Sequence, residues 1–170
     1  MSAGRFIFKD KKVHIRAVER SMKESGTEER ALIIHPGAVV ILAITEENNV
    51  VFIRNNRYTI ERSLLELPAG TLEPPEPPLD CAARELREEN GYVAKHLEPL
   101  CQFFSAPGFC TEEMFAFVAR DLTFVGQELQ DDEEIDVTLI PLVEAEQMMK
   151  DGRIHDAKTL AALVTFFLRR

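Results

Sequence analysis

Apolar and polar positions along the chain change period several times, and each change marks an element. Residues 4–34 are mixed and charged, and the alternation over residues 5–16 fits one or two strands. Residues 37–45 (GAVVILAIT) form a nearly continuous apolar run, as expected of a strand buried on both faces. The turn Glu46-Glu47-Asn48-Asn49 follows, and residues 50–54 return as a second strand, which predicts a hairpin. Residues 64–72 (LLELPAGTL) run into Pro74, Pro75, Pro77 and Pro78, which cannot be helix interior. Directly afterwards Leu79, Ala82, Ala83 and Leu86 recur at i, i+3, i+4, i+7, the stripe of an amphipathic helix. Proline suits the first turn of that helix and Gly91 its end. Strands around residues 100–105 and 114–120 are joined by a turn-rich loop, 105–113, with Phe103 and Phe104 read as core. An acidic patch, 131–134, precedes a short strand over 135–141. Two helices close the chain, about 143–150 and 157–169. The last has Asp156 as N-cap and Leu160, Leu163, Val164 and Phe167 as core stripe. This order predicts the α/β class, a mixed sheet covered by helices.

Composition narrows the partners. The chain has 170 residues, 45% hydrophobic and 29% charged, which suits one domain with a substantial core. Its 20 basic and 29 acidic residues leave a net charge of −9, a poor field for nucleic acid or an anionic membrane. An acidic chain acting on an acidic substrate needs a metal ion or a local basic cluster. No apolar run reaches the roughly 20 residues of a membrane-spanning helix. The first residues also lack the apolar stretch of a secretory signal. Cys81, Cys101 and Cys110 form no metal-binding pair, and His14, His35, His96 and His155 are scattered. A reduced, cytoplasmic compartment and structural thiols are the expectation.

The chemistry gathers on the helix after the prolines. Glu85, Glu88 and Glu89 stand at i, i+3 and i+4 and share a face beside the apolar stripe. Each like-charged pair costs roughly 0.2–0.5 kcal/mol on an isolated helix. The C-terminal half of a helix also disfavours negative charge. Two explanations fit these residues: a solvated acidic face balanced by Arg84 and Arg87, or a divalent cation. Oxygen ligands without His or Cys favour Mg²⁺ or Mn²⁺ over zinc.

The upstream residues favour the second. Residues 70–92, GTLEPPEPPLDCAARELREENGY, resemble the Nudix box, G-x5-E-x7-R-E-U-x-E-E-x-G-U. Every fixed position is met, by Gly70, Glu76, Arg84, Glu85, Glu88, Glu89 and Gly91, and Tyr92 fills an apolar slot that is more often aliphatic. The resemblance implies a Nudix fold, an α/β/α sandwich with a mixed sheet and a loop–helix–loop that hydrolyses nucleoside diphosphates linked to another moiety. It makes Glu85 and Glu89 the principal metal ligands, with Glu88 supporting them or orienting a water. Arg84 holds the glutamates, Gly70 allows the tight loop, Glu76 is structural, and Gly91 ends the helix.

Flanking segments resemble the ADP-ribose pyrophosphatase and nucleoside-diphosphate-sugar hydrolase subgroup. Residues 65–70 match its L-E-[LI]-P-A-G lead-in, with Glu73 following on the substrate side and the Ala69 carbonyl implied as a metal ligand. Pro107 stands sixteen residues after Gly91, where the subgroup carries its marker proline. Glu112 fits the loop glutamate implied as catalytic base, with Glu113 adjacent. Glu133 matches an acidic segment that closes over the site, and residues 152–159 match G-x-I-x-D-A-K-T. Arg57 ends a strand similar to R-Q-[YF]-R and is the implied substrate-phosphate ligand, although Asn55 and Asn56 replace the glutamine and aromatic. In this family an N-terminal segment is often exchanged across a homodimer. Residues 1–34 would then be exchanged strands and 35–170 the hydrolase domain. Phe6, Phe8 or His14 would stack a base, and Arg16 would make a second phosphate or cross-subunit contact. The implied reaction is Mg²⁺-dependent hydrolysis of ADP-ribose, or a similar nucleoside diphosphate sugar, to AMP and ribose 5-phosphate. The alternatives within the family are GDP-mannose, a dinucleoside polyphosphate or an oxidised nucleotide.

Overall fold

The apolar run becomes the centre of the molecule. In the computed structural model, which describes residues 4–10, 13–22, 26–128 and 135–170, β4 (Ala38–Ala43) is buried at every position. Its alternate side chains feed two cores. Val40 and Leu42 pack with Phe52, Leu67, Ala162, Leu163 and Phe166. Val39, Ile41 and Ala43 pack with Cys81, Ala82, Leu86 and Phe117. A strand apolar on both faces is therefore covered on both.

Both edges of β4 are also taken. β7 (Ala69–Thr71) pairs with it antiparallel, and β9 (Glu113–Phe124) pairs with it parallel, followed by β8 (Tyr92–Phe104). The four form a mixed sheet in the order β7-β4-β9-β8. The predicted hairpin therefore does not form as a ladder. Only the bridge between Ile44 and Val50 joins the two runs, and β5 (Asn49–Arg57) departs into a second sheet. There it pairs with β6 (Arg62–Glu66) and with β10 (Ile135–Pro141). The sequence pattern shows two strands and a turn, but not that β7 and β9 already hold both hydrogen-bonding edges of the first.

Helix α1 (Pro78–Asn90) contacts β4, β7 and β8, while α2 (Leu142–Lys150) and α3 (Ala157–Leu168) pack on the other core. The result is the expected α/β/α layering. Pro78 stands in the first turn of α1, and Gly91 ends it at φ 71°, its N–H bonding the Arg87 carbonyl. Two stripes sit differently from their prediction. In α1, Leu79 and Ala83 are exposed, and the buried positions are Cys81, Ala82, Glu85, Leu86, Glu89 and Asn90. The helix has turned its carboxylates inward, towards β7. In α3 the Asp156 cap forms as expected, but Val164 is exposed and Thr159, Ala162, Leu163 and Phe166 are buried. Strand β8 starts eight residues before its predicted boundary because Pro99 interrupts the pattern at a bulge, and Phe104 lies exposed on it.

Residues before β4 form a separate antiparallel sheet, β1 (Arg5–Lys9), β2 (His14–Met22) and β3 (Gly26–Ile34), which extends well past the one or two strands expected over residues 5–16. It meets the body through Ile33, which exchanges backbone hydrogen bonds with Phe109 (2.8 Å) and Thr111 (2.9 Å). A cavity of about 790 Å³ opens between β2, β3 and the loop carrying Gly108 and Phe109, with Arg20 and Arg30 in its lining. The acidic residues 131–134, including Glu133, lie outside the described residues.

Candidate active site

Gly70 is the point on which the site is built. A Cβ added there would fall 1.8 Å from Glu85 Cδ, so only glycine lets α1 approach β7 this closely. One residue earlier, the Ala69 N–H donates to Glu89 Oε2 at 3.2 Å. Glu85 and Glu89 are therefore both buried, 8% and 5% exposed, against the start of β7. Glu88, on the outer flank, is half-buried.

Arg84 holds the carboxylates together. Its Nε and Nη2 donate to the two oxygens of Glu76, each at 2.9 Å, and its Nη1 reaches Glu85 Oε1 (2.8 Å) and Glu88 Oε2 (3.1 Å). The Arg84 bonds hold the Glu76 carboxyl below its ordinary range, against a smaller opposing effect of burial. The same bonds push the Arg84 guanidinium further up. Burial, with Glu76 and Glu85 adding to it, pushes the Cys81 thiol up to about 12. Such a thiol is inert as a nucleophile at neutral pH, in line with its structural assignment.

The donors present suit a hard divalent cation: buried carboxylates beside the backbone of β7, at a glycine with no room for a methyl group. As the side chains stand, the described residues contain no cluster of three His, Cys, Asp or Glu at ligating distance. Arg84 supplies the countercharge to Glu85 and Glu88 instead.

A second cluster lies at the end of β5. Arg57 donates through Nε and Nη2 to Glu66 Oε1 (2.7 Å) and Oε2 (2.5 Å), and Glu66 is fully buried. Lys158 Nζ bonds the same Glu66 oxygen at 2.5 Å and Asp156 Oδ1 at 2.9 Å. Asp156 Oδ2 accepts from the Thr159 N–H and hydroxyl, and Thr159 Oγ1 accepts from the Leu67 N–H. Burial pushes the Glu66 carboxyl up, but the Arg57 bonds and the Lys158 charge outweigh it and the net shift is downward. The Arg57 guanidinium is held above its ordinary range by Glu66 first, and the charges of Asp156 and Glu89 act in the same direction. Arg57 thus lies within the field of a box carboxylate. Sequence reasoning noticed both motifs that carry this cluster, residues 65–70 and 152–159, but not that they meet or that Glu66 and Lys158 are its centre. The signal was a charged residue inside an otherwise apolar lead-in, Leu-Glu-Leu-Pro.

The other candidates fall in three places. Glu112 lies 3.6 Å from His35 Nδ1, which already accepts the Gly37 N–H at 3.1 Å. In the neutral imidazole, Nδ1 is thus an acceptor facing a carboxylate, and only protonation makes this contact an ion pair. Glu113 is the first residue of β9, paired with Phe104. Glu73 is exposed, and its N–H donates to Glu76 Oε2 at 3.3 Å in the turn before α1. On the N-terminal sheet, Arg16 is half-buried with its Nε unpartnered among the described residues. Phe6 and Phe8 are each about half exposed, with Phe6 edge-on to His14 at 6.2 Å. Beyond these, residues 125–128 close the C-terminal end of α1. Gln127 Nε2 donates to the Glu89 carbonyl and the Glu128 N–H to the Glu88 carbonyl.

A carboxylate helix clamped to a glycine strand inside a mixed α/β sandwich is a pyrophosphohydrolase architecture, and the comparisons agree. The NUDIX domain matches residues 34–163, and the chain belongs to that family. It is 35% identical over 159 residues to the ADP-ribose pyrophosphatase of Bacillus subtilis (strain 168), covering 92% of this chain and 86% of that protein. It is 38% identical, with the same coverage, to the methanol dehydrogenase activator of Bacillus methanolicus. It is also 34% identical over 142 residues to the GDP-mannose pyrophosphatase of Cronobacter sakazakii (strain ATCC BAA-894), covering 78% of this chain and 74% of that one. The crystal structure of an ADP compounds hydrolase superposes with a TM-score of 0.82 at 23% identity, covering 95% of this chain and 88% of that one, a likeness of fold. The Nudix pyrophosphohydrolase reading of the sequence therefore stands.

Proposed function

We propose that this protein hydrolyses the pyrophosphate linkage of ADP-ribose or a closely related nucleoside diphosphate sugar, releasing AMP and ribose 5-phosphate from ADP-ribose. The observation that carries the reading is the clamp of Glu85 and Glu89 onto Ala69 and Gly70. Glu85, Glu89 and the Ala69 carbonyl would hold Mg²⁺ or Mn²⁺, with Glu88 beside them. The bound cation supplies charge neutralisation of the diphosphate and a lowered pKa for the attacking water. Arg84 keeps Glu76, Glu85 and Glu88 converged, the Ala69 N–H holds Glu89, and Glu88 would orient that water. Arg57 donates to a diphosphate oxygen from the end of β5. Glu112, or its neighbour Glu113, takes the water proton, and Glu73 contacts the substrate from the turn before α1; Glu133, outside the described residues, is kept as a further substrate contact. Attack at one phosphorus expels the other phosphate as leaving group, so water is the only co-reactant.

The exposed Phe6, Ile7 and Phe8 of β1 support a homodimer in which residues 1–34 are shared between subunits and Arg16 reaches the partner's substrate. Among the described residues no helix is long and apolar enough to cross a membrane. The three free cysteines support a reduced, cytoplasmic compartment. A GDP-sugar is the second reading, since GDP-mannose pyrophosphatases stand among the relatives. The test is product release from ADP-ribose, GDP-mannose, diadenosine polyphosphates and dNTPs, each with and without Mg²⁺. Metal-dependent preference for ADP-ribose supports the first reading. Preference for GDP-mannose replaces it with the second, and turnover of none of them overturns both.

A further inference from the structure

The Arg57 guanidinium is mounted, not loose. Two of its nitrogens, Nε and Nη2, bond the two oxygens of Glu66, which leaves Nη1 as the donor not used on that carboxylate. Glu66 itself has no exposed surface, so its position is set by what else holds it. That is Lys158, which joins Glu66 Oε2 to Asp156 Oδ1, and Asp156 is fixed as the N-cap of α3. The chain of contacts Asp156–Lys158–Glu66–Arg57 thus ties the end of β5 to the first turn of a helix whose inner face is core. It also divides the charge of Glu66. A carboxylate facing Arg57 alone would neutralise it, whereas one shared with Lys158 leaves Arg57 more of its positive field.

We propose that Lys158, acting through Glu66, is a positioning residue that fixes the Arg57 guanidinium to receive the diphosphate of the substrate. The inference rests on the reading of Arg57 as a diphosphate ligand given above. It assigns binding energy to a lysine whose ammonium, among the described residues, bonds two carboxylates of its own chain.

The experiment is a double-mutant cycle on KM and kcat, with ADP-ribose and Mg²⁺ and with thermal unfolding of every variant alongside. Arg57→Lys is expected to raise KM about tenfold, as the loss of a charge-assisted fork to phosphate does. Lys158→Gln is expected to raise KM about three- to tenfold with kcat within about twofold, and Lys158→Arg to restore most of it. In the Arg57→Lys background, Lys158→Gln should add nothing further. Glu66→Gln keeps the side-chain shape and must reproduce both results, which covers the case of a poorly folding lysine variant. A Lys158→Gln effect that persists undiminished without Arg57 overturns the proposal, because Lys158 would then act on the substrate directly. A lowered unfolding temperature with unchanged KM also overturns it, leaving a purely structural pair. Should Arg57→Lys itself leave KM unmoved, the diphosphate reading of Arg57 falls and the positioning role with it. An Arg57→Lys effect without any Lys158 effect removes the positioning role alone.

Discussion

Two ion-pair clusters serve the two ends of residues 66–70, and they are built in opposite ways. The Arg84 cluster gathers Glu76, Glu85 and Glu88 from a stretch of thirteen residues, and all four side chains keep some exposure. The Arg57 cluster joins β5, β6 and α3 across some hundred residues of chain around a carboxylate with no exposure at all. Excess negative charge characterises the first, with three glutamates on one arginine. Balance characterises the second, with two cations against Glu66 and Asp156. An anionic, half-open cluster can exchange its countercharge for a metal ion, whereas a neutral one closed around a buried carboxylate, with Arg57 alone well exposed, holds its members in place. One is chemistry kept adjustable; the other is geometry kept fixed.

The comparison breaks most directly at Glu85. Glu85→Gln keeps the shape of the side chain and removes the charge of a proposed metal ligand, so kcat should fall by roughly 10²–10⁴-fold. The unfolding temperature should stay within a few degrees. Retained turnover would show that the open cluster is not the catalytic one. In the closed cluster the larger effect is expected on stability. Glu66→Ala strands two cations and should cost about 2–4 kcal/mol, while Glu76→Gln, in the more exposed cluster, should cost about 1 kcal/mol or less. Chemical denaturation of both variants measures the difference, and equal costs would remove the distinction between the clusters.

The smallest effect is the response to acid. Glu66 and Glu76 both have carboxyls held below their ordinary 4.5 in the folded chain. A depressed folded value means that the stability these groups contribute is fully present above about 4.5 and is lost as pH falls through the folded values. Thermal unfolding should therefore be nearly flat from neutral pH down to about 5 and decline below it. Glu76→Gln should make that decline shallower. A decline already under way at pH 6 would point to groups other than these carboxylates.

The difference between the clusters also decides what the sequence can disclose. Spacing on one helix reports faithfully which side chains share a face, so Glu85, Glu88 and Glu89 are legible in the sequence, as is α3 with its Asp156 cap, while Gly70 and Glu76 are legible only through the resemblance to the Nudix box. Contacts between distant elements have no period. Nothing in Leu65-Glu66-Leu67 says that Glu66 meets Lys158, and nothing in the second apolar run says that it leaves for another sheet. The turned stripe of α1 has the same cause. Periodicity marked Leu79 and Ala83 as inward, but the close approach allowed by Gly70 rotated Glu85 and Glu89 into their place.

The parallel register of β4 with β9 sets an order of events during synthesis. Residues 38–43 find their parallel partner only at residues 114–119, with β7 and α1 lying in the stretch of chain between. A nascent chain that has emerged as far as residue 112 carries the entire Nudix box but lacks the strand that pairs with the second edge of β4. The closing of so long a loop is slow and leaves apolar edge surface open until it happens. Truncated forms ending before β9 should therefore be collapsed and prone to aggregate, not partially active. Helix α1 is complete more than twenty residues before the strand that closes the sheet beneath it begins.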